Sequence, residues 1–112
     1  MKSYAMALDL RDDAEVIERY VEYHRAVWDE VLDGLKSIGI SKMKIFLHGS
    51  RLFMYLEVPD DFDLERDFQR YTEASPRAAE WDALMREYQV RVPGAKPGEW
   101  WAGMEEVFDL YG

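Results

Sequence analysis

Two hydrophobic periods follow one another in the first third of the chain, and their order constrains the fold more than any other feature. Tyr4, Met6, Leu8 and Leu10 alternate with Ser3, Ala5, Ala7 and Asp9, which is the period-two pattern of a strand. The spacing then changes. Val16, Ile17, Tyr20, His24, Val27, Trp28, Val31, Leu32 and Leu35 keep a helical period, with Asp12 or Asp13 available as N-cap and Gly39 as the stop. Two further β-rich segments, 42–47 and 52–58, flank His48-Gly49-Ser50-Arg51, a hairpin turn in which Gly49 can take positive φ. Residues 64–72 predict a short helix, and Ser75-Pro76 restarts the chain as a second one, with serine as cap and proline at the first helical position. That second helix presents Trp81, Leu84, Met85 and Tyr88. The stretch 93–98 is a Pro/Gly loop, and 104–111 is rich in β-formers and predicts a final strand.

The resulting order is β-α-β-β-α-β, with the second helical region in two pieces. It predicts an α+β, ferredoxin-like fold: a four-stranded antiparallel sheet with helices on one face. A sheet covered on one side only needs cover on the other, and the alternate strand positions are apolar enough to suggest a homodimer.

The length of 112 residues fits one domain, 1–112, without repeats or an interdomain linker. A net charge of -9 argues against nucleic acid and against an anionic membrane surface as partners. No apolar run is long enough to span a bilayer, and the N-terminal stretch is too short and too alternating for a signal peptide. With no cysteine there is no disulfide framework, thiolate nucleophile or cysteine metal site, and a cytoplasmic protein is the simplest expectation. Four Trp, seven Tyr and five Phe are many for so short a chain, and suggest an aromatic-lined pocket, a dimer interface, or both.

No phosphate-binding loop, dinucleotide fingerprint, HExxH or Gly-x-Ser-x-Gly motif occurs. Of the two histidines, His48 falls in the hairpin turn and is expected at the surface. His24 recurs with Tyr20 and Trp28 at spacings of four, which places all three on one helical face. An imidazole in an apolar aromatic stripe can move protons near neutral pH. The same spacing also suits a core histidine satisfied by a single hydrogen bond. Glu106 shares the alternation of Met104, Phe108 and Leu110, so it either sits among apolar neighbours, where its pKa would rise, or points to water at a strand edge. No spacing singles out a metal site, and none is expected.

The segment from Tyr20 to Trp28, Tyr-x-x-x-His-x-x-x-Trp, resembles the helix motif of the L-rhamnose mutarotase family. The run Met104-Glu105-Glu106-Val107-Phe108-Asp109-Leu110 is similar to that family's C-terminal strand, and Trp81 stands where the family carries a tryptophan. The resemblance covers nearly the whole chain. It implies a cofactor-free sugar mutarotase that interconverts α and β anomers of L-rhamnose or a related 6-deoxy or aldose sugar. It also implies a ferredoxin-like fold paired into a dimeric α/β barrel. By the same resemblance His24 is the catalytic acid/base, while Tyr20 and Trp81 bind the sugar. Two positions depart from the family pattern: Asp82 replaces a second tryptophan, and Met43 replaces a tyrosine on the second strand. With Trp28 they complete the expected pocket, and the departures leave the sugar open. Asp82 either accepts from a sugar hydroxyl or lies on the wet side of its helix. Trp100-Trp101 either closes the pocket or packs a dimer seam. The rival expectations are a barrel that binds a small ligand without catalysis and, by fold analogy, a small barrel oxygenase.

Overall fold

Strand β1 (Lys2–Leu10) is the spine of the sheet, and the computed structural model describes all residues, 1–112. Asp13 ends the turn after it and caps helix α1 (Ala14–Arg25), its carboxylate accepting from the backbone N–H of Glu15 and Val16. Helix α2 (Asp29–Ser37) follows, and Gly39 turns the chain with φ 101°, a conformation only glycine adopts cheaply. Strands β2 (Lys42–His48) and β3 (Arg51–Val58) form the expected hairpin around a two-residue turn, with Gly49 at φ 60°. Asp63 caps α3 (Leu64–Ala74). Ser75 caps α4 (Pro76–Arg86), accepting from the N–H of Ala78, with Pro76 at the start. Two short strands complete the chain, β4 (Gln89–Val90) and β5 (Ala102–Gly103).

The sheet runs β2-β3-β1-β4, antiparallel throughout, and β5 pairs with β1 beside β4. Residues directly opposite in an antiparallel pair share a face. Met6, Leu8, Leu10, Leu52, Met54, Leu56 and Val58 all point to the helix side and are buried. Tyr20, Val31, Tyr71, Ala78, Trp81 and Met85 close over this face from the helices, forming one continuous core with all of these sheet residues but Leu8. The α+β architecture with helices on one face is therefore as expected. Asp67 is the one carboxylate in the buried set. Arg66, Arg70 and the Asp63 N–H surround it, and its hydrogen bond from Arg66 holds it below the usual carboxylate range.

Two expectations fail. The predicted continuous helix breaks: α1 ends at Arg25, and Trp28 takes an extended conformation (φ -59°, ψ 139°) before α2 begins. Asp29 and Glu30 supply a second acidic helix start that the positive end of a helix dipole favours, so the apolar period survives while its axis changes direction. Trp28 is consequently not stacked above His24 on a single helix. The second failure is the strand at 104–111. The fourth strand position is filled by β4 and β5, and pairing along β1 ends with the bond from Met104 N–H to the Ala5 carbonyl, 2.8 Å. Beyond it Val107, Phe108, Leu110 and Tyr111 are exposed, and so is Glu106. β-Propensity reflects packing against neighbours, and this chain offers the tail none.

Candidate active site

The end of α1 presents its last two turns to α4. Tyr20 is 3% exposed, and its ring centroid lies 4.4 Å from that of His24. His24 lies edge-on to Trp81, centroids 5.4 Å apart, and Trp28 reaches the same indole at 5.1 Å from beyond the break. The break in the helix therefore brings Trp28 to the cluster by a different route from the one its spacing predicts. Tyr23 meets Trp81 at 6.0 Å and Tyr88 at 6.0 Å, extending the aromatic wall. The Arg77 guanidinium lies 3.7 Å from the centre of the Trp28 ring, in cation–π contact.

Hydrogen bonds fix the chemistry of the two polar members. His24 Nδ1 is 2.8 Å from the Tyr20 carbonyl oxygen. A carbonyl only accepts, so Nδ1 carries the hydrogen, and in the neutral ring Nε2 is left with a free lone pair. Burial lowers the His24 pKa below its ordinary value, partly offset by this bond. The ring is thus neutral at pH 7 and able to accept a proton at Nε2. The Tyr20 hydroxyl accepts from Gln89 Nε2 at 3.2 Å, and burial pushes its pKa up to about 12, so it keeps its proton.

The other two expected pocket residues stand apart. Asp82 lies half-exposed on the outer side of α4, its Oδ2 accepting from Arg86 Nε at 3.1 Å. Its charge is felt by the phenol of Tyr71, which burial and Asp82 together raise to about 12. Met43 lies opposite Leu56 on β2, partly buried against the core, on the edge strand farthest from Gln89. A cleft of about 490 Å³ between α2 and α3, lined by Gly34, Ile38, Arg70, Tyr71 and Ser75, is separate from the His24 cluster.

Gln89 escaped the sequence reading, and Trp100, read there as closing the pocket or packing a dimer seam, meets the cluster through it. Gln89 stands opposite Leu10 in the β1–β4 register, so it faces the helices, and it is buried. Trp100 Nε1 donates to Gln89 Oε1 at 2.8 Å. The available signal was an amide at an inward-facing position of a strand too short to show its own period.

The sequence profile of the L-rhamnose mutarotase family matches residues 3–110. The chain belongs to that family. A UPF0734 protein of Dictyostelium discoideum is 56% identical over 112 residues, covering 97% of this chain and 90% of the relative. An L-fucose mutarotase of Xanthomonas campestris is 38% identical over 112 residues, covering 98% of this chain and 89% of the relative. The crystal structure of an L-rhamnose mutarotase from Formosa agariphila superposes with a TM-score of 0.69 at 21% identity, covering 98% and 99% of the two chains, a likeness that establishes the fold. As a member of the family the chain is a sugar mutarotase, a carbohydrate isomerase that needs no cofactor. No helix is long and apolar enough to cross a membrane.

Proposed function

We propose that the chain interconverts the α and β anomers of a 6-deoxy-L-sugar, L-fucose or L-rhamnose, with His24 as the acid/base and Tyr20 and Trp81 holding the sugar. The observation that carries this reading is the His24 ring, fixed by the Tyr20 carbonyl at 2.8 Å and flanked by Tyr20 and Trp81 rings at 4.4 and 5.4 Å. Both sugars follow from the relatives: the family as a whole is named for L-rhamnose, and the Xanthomonas relative for L-fucose. Aromatic faces suit the C–H surface and methyl group of such sugars.

Anomer exchange needs one proton removed and one delivered. Nε2 of neutral His24 takes the proton of the anomeric hydroxyl as the bond between the anomeric carbon and the ring oxygen breaks. The ring oxygen receives a proton from the Tyr20 phenol or from water, giving the open-chain aldehyde. Rotation about the bond next to the carbonyl carbon and reversal of both transfers close the ring with the other configuration. The base is poised because burial keeps the imidazole neutral at working pH. General acid–base catalysis of this kind contributes about 10²–10⁴-fold, which is sufficient for a reaction that already proceeds in water.

The assembly proposed is a homodimer in which two sheets pack face to face into an α/β barrel. Its support is the face of the sheet turned away from the helices. Ala5, Ala7, Phe46, Phe53 and Tyr55 form an apolar centre there, and the Asp9–Arg51 and Lys42–Glu57 ion pairs border it. The exposed apolar tail from Met104 onward would gain its missing neighbours from the same partner. The absence of cysteine fits a cytoplasmic setting.

Saturation-transfer NMR of anomeric protons across a panel of aldoses tests the function. Enhanced exchange of L-fucose or L-rhamnose, abolished in His24→Ala, is the expected result. A His24→Ala protein that accelerates exchange like the parent overturns the assignment of the acid/base.

A further inference from the structure

Beyond the aromatic cluster, a buried relay runs from Trp100 through Gln89 to Tyr20. The indole nitrogen of Trp100 is a donor only, so the Gln89 atom 2.8 Å from it is the carbonyl oxygen. That fixes the orientation of the amide. Gln89 Nε2 must therefore donate to the Tyr20 oxygen, 3.2 Å away. The hydroxyl oxygen thus accepts from the amide, and its own hydrogen has no protein acceptor. Gln89 is 7% exposed and Tyr20 is 3% exposed, so water does not freely randomise the arrangement. Trp100 is held in turn by the Arg86 guanidinium, 4.7 Å from its ring centre, and Arg86 is ion-paired with Asp82. The Asp82 that replaces the family's tryptophan is thus the outer end of the chain that orients Tyr20.

We infer that Gln89, clamped by Trp100, is a positioning residue that forces Tyr20 to act as a hydrogen-bond donor toward the sugar, with its hydrogen aimed at a sugar oxygen. The inference rests on the placement of the sugar at Tyr20 and His24 proposed above. A phenol that accepts from an amide is also a better donor, because hydrogen bonds in a chain polarise one another. The natural recipient is the ring oxygen, whose negative charge grows as the ring opens. A donor aimed there acts mainly in the transition state and therefore on kcat rather than on KM.

The test is a double-mutant cycle read by anomer-exchange NMR on L-fucose and L-rhamnose. Gln89→Glu keeps the shape but offers two acceptors, so the Tyr20 hydrogen turns inward; exchange is expected to fall about tenfold in kcat with KM changed less, the size of one lost hydrogen bond. Trp100→Phe keeps a ring for Arg86 and removes only the N–H that orients the amide. It serves where a buried carboxylate prevents folding, and it is expected to lower kcat several-fold. In a Tyr20→Phe background neither substitution costs more than about twofold, because the hydroxyl they control is gone. Thermal unfolding confirms that each variant is folded. Parental kcat in both folded variants, or equal losses with and without the Tyr20 hydroxyl, overturns the inference while leaving the site intact. Parental rates in both Tyr20→Phe and His24→Ala overturn the site reading and this inference with it.

Discussion

His24 Nδ1 and the Tyr20 carbonyl oxygen, one helical turn apart, are 2.8 Å from each other, and this contact decides what the imidazole can do. The carbonyl already serves the last turn of α1, so its second lone pair is free to hold the ring. With Nδ1–H committed, Nε2 is the nitrogen left to accept a proton, and burial keeps it unprotonated at neutral pH. A free imidazole of pKa about 6.5 would lose its base function at mildly acid pH. Here the folded value lies lower, so catalysed exchange is expected to persist below pH 6.5 and to fall only at more acid pH, as Nε2 protonates. A pH–rate profile of kcat/KM checks this, and an acid limb above 6.5 contradicts it. The same shift has a consequence for stability. The unfolded chain binds the proton more tightly than the folded one, so this contribution is complete above about pH 6.5 and is lost as pH falls toward the folded value. His24→Gln should flatten that part of the stability curve.

Gly34 and Tyr71 are packed so that a methyl group would not fit between them. A Cβ built on Gly34 stands 2.8 Å from Tyr71 Cε1, and the phenol ring is buried. Replacing a helical glycine by alanine ordinarily stabilises by about 1 kcal/mol. At this position overpacking against a buried ring costs about 1–3 kcal/mol. Gly34→Ala is therefore expected to destabilise by up to about 2 kcal/mol, measured by urea unfolding, with anomer exchange unchanged at temperatures where the protein is folded. Gly34→Ala combined with Tyr71→Leu should recover part of the loss.

Asp82 faces Arg86 at 3.1 Å on the outer side of α4, and both side chains are half-exposed. Such an i,i+4 pair contributes about 0.3–0.5 kcal/mol. Asp82→Asn is expected to change the unfolding free energy by less than 1 kcal/mol and to leave the ranking of L-fucose against L-rhamnose as in the parent. A reversed ranking in the NMR panel would return Asp82 to the sugar pocket.

Much of this architecture was legible in the sequence because burial imposes a period. β1, the β2–β3 hairpin, the Asp13 and Ser75 caps and the stop at Gly39 are local signals, and the structure contains each of them. The break at Trp28 was not legible, since α2 keeps the apolar stripe in phase while changing direction. The tail from Met104 was misread because β-rich composition does not say whether a neighbouring strand exists. His24, Tyr20 and Trp81 were legible together through spacing and family resemblance, and the structure brings their rings together. Gln89 was not, and neither was the bond Trp100 makes to it, because the two stand eleven positions apart across a loop, which leaves no periodic trace.

Phe46 and Phe53 stand opposite each other on the uncovered face of the sheet, ring centroids 6.0 Å apart, and Phe46 is 54% exposed. Fully burying a phenylalanine side chain contributes about 1.5–3 kcal/mol, and a two-fold interface uses each residue twice. A charge at this position would instead be buried without a partner, at a cost of several kcal/mol. Phe46→Glu is therefore expected to shift the protein from dimer to monomer in sedimentation velocity at micromolar concentration. Ending the chain after Gly103 should weaken the dimer as well, because it removes Phe108, Leu110 and Tyr111, which are largely exposed within their own chain. A parent protein that sediments as a monomer, or a Phe46→Glu variant that remains dimeric, would show that this face is not the interface. The monomer also separates two contributions to catalysis. His24, Tyr20 and Trp81 belong to one chain and meet on the helix side of its sheet. A folded monomer is thus expected to retain measurable anomer exchange that His24→Ala abolishes.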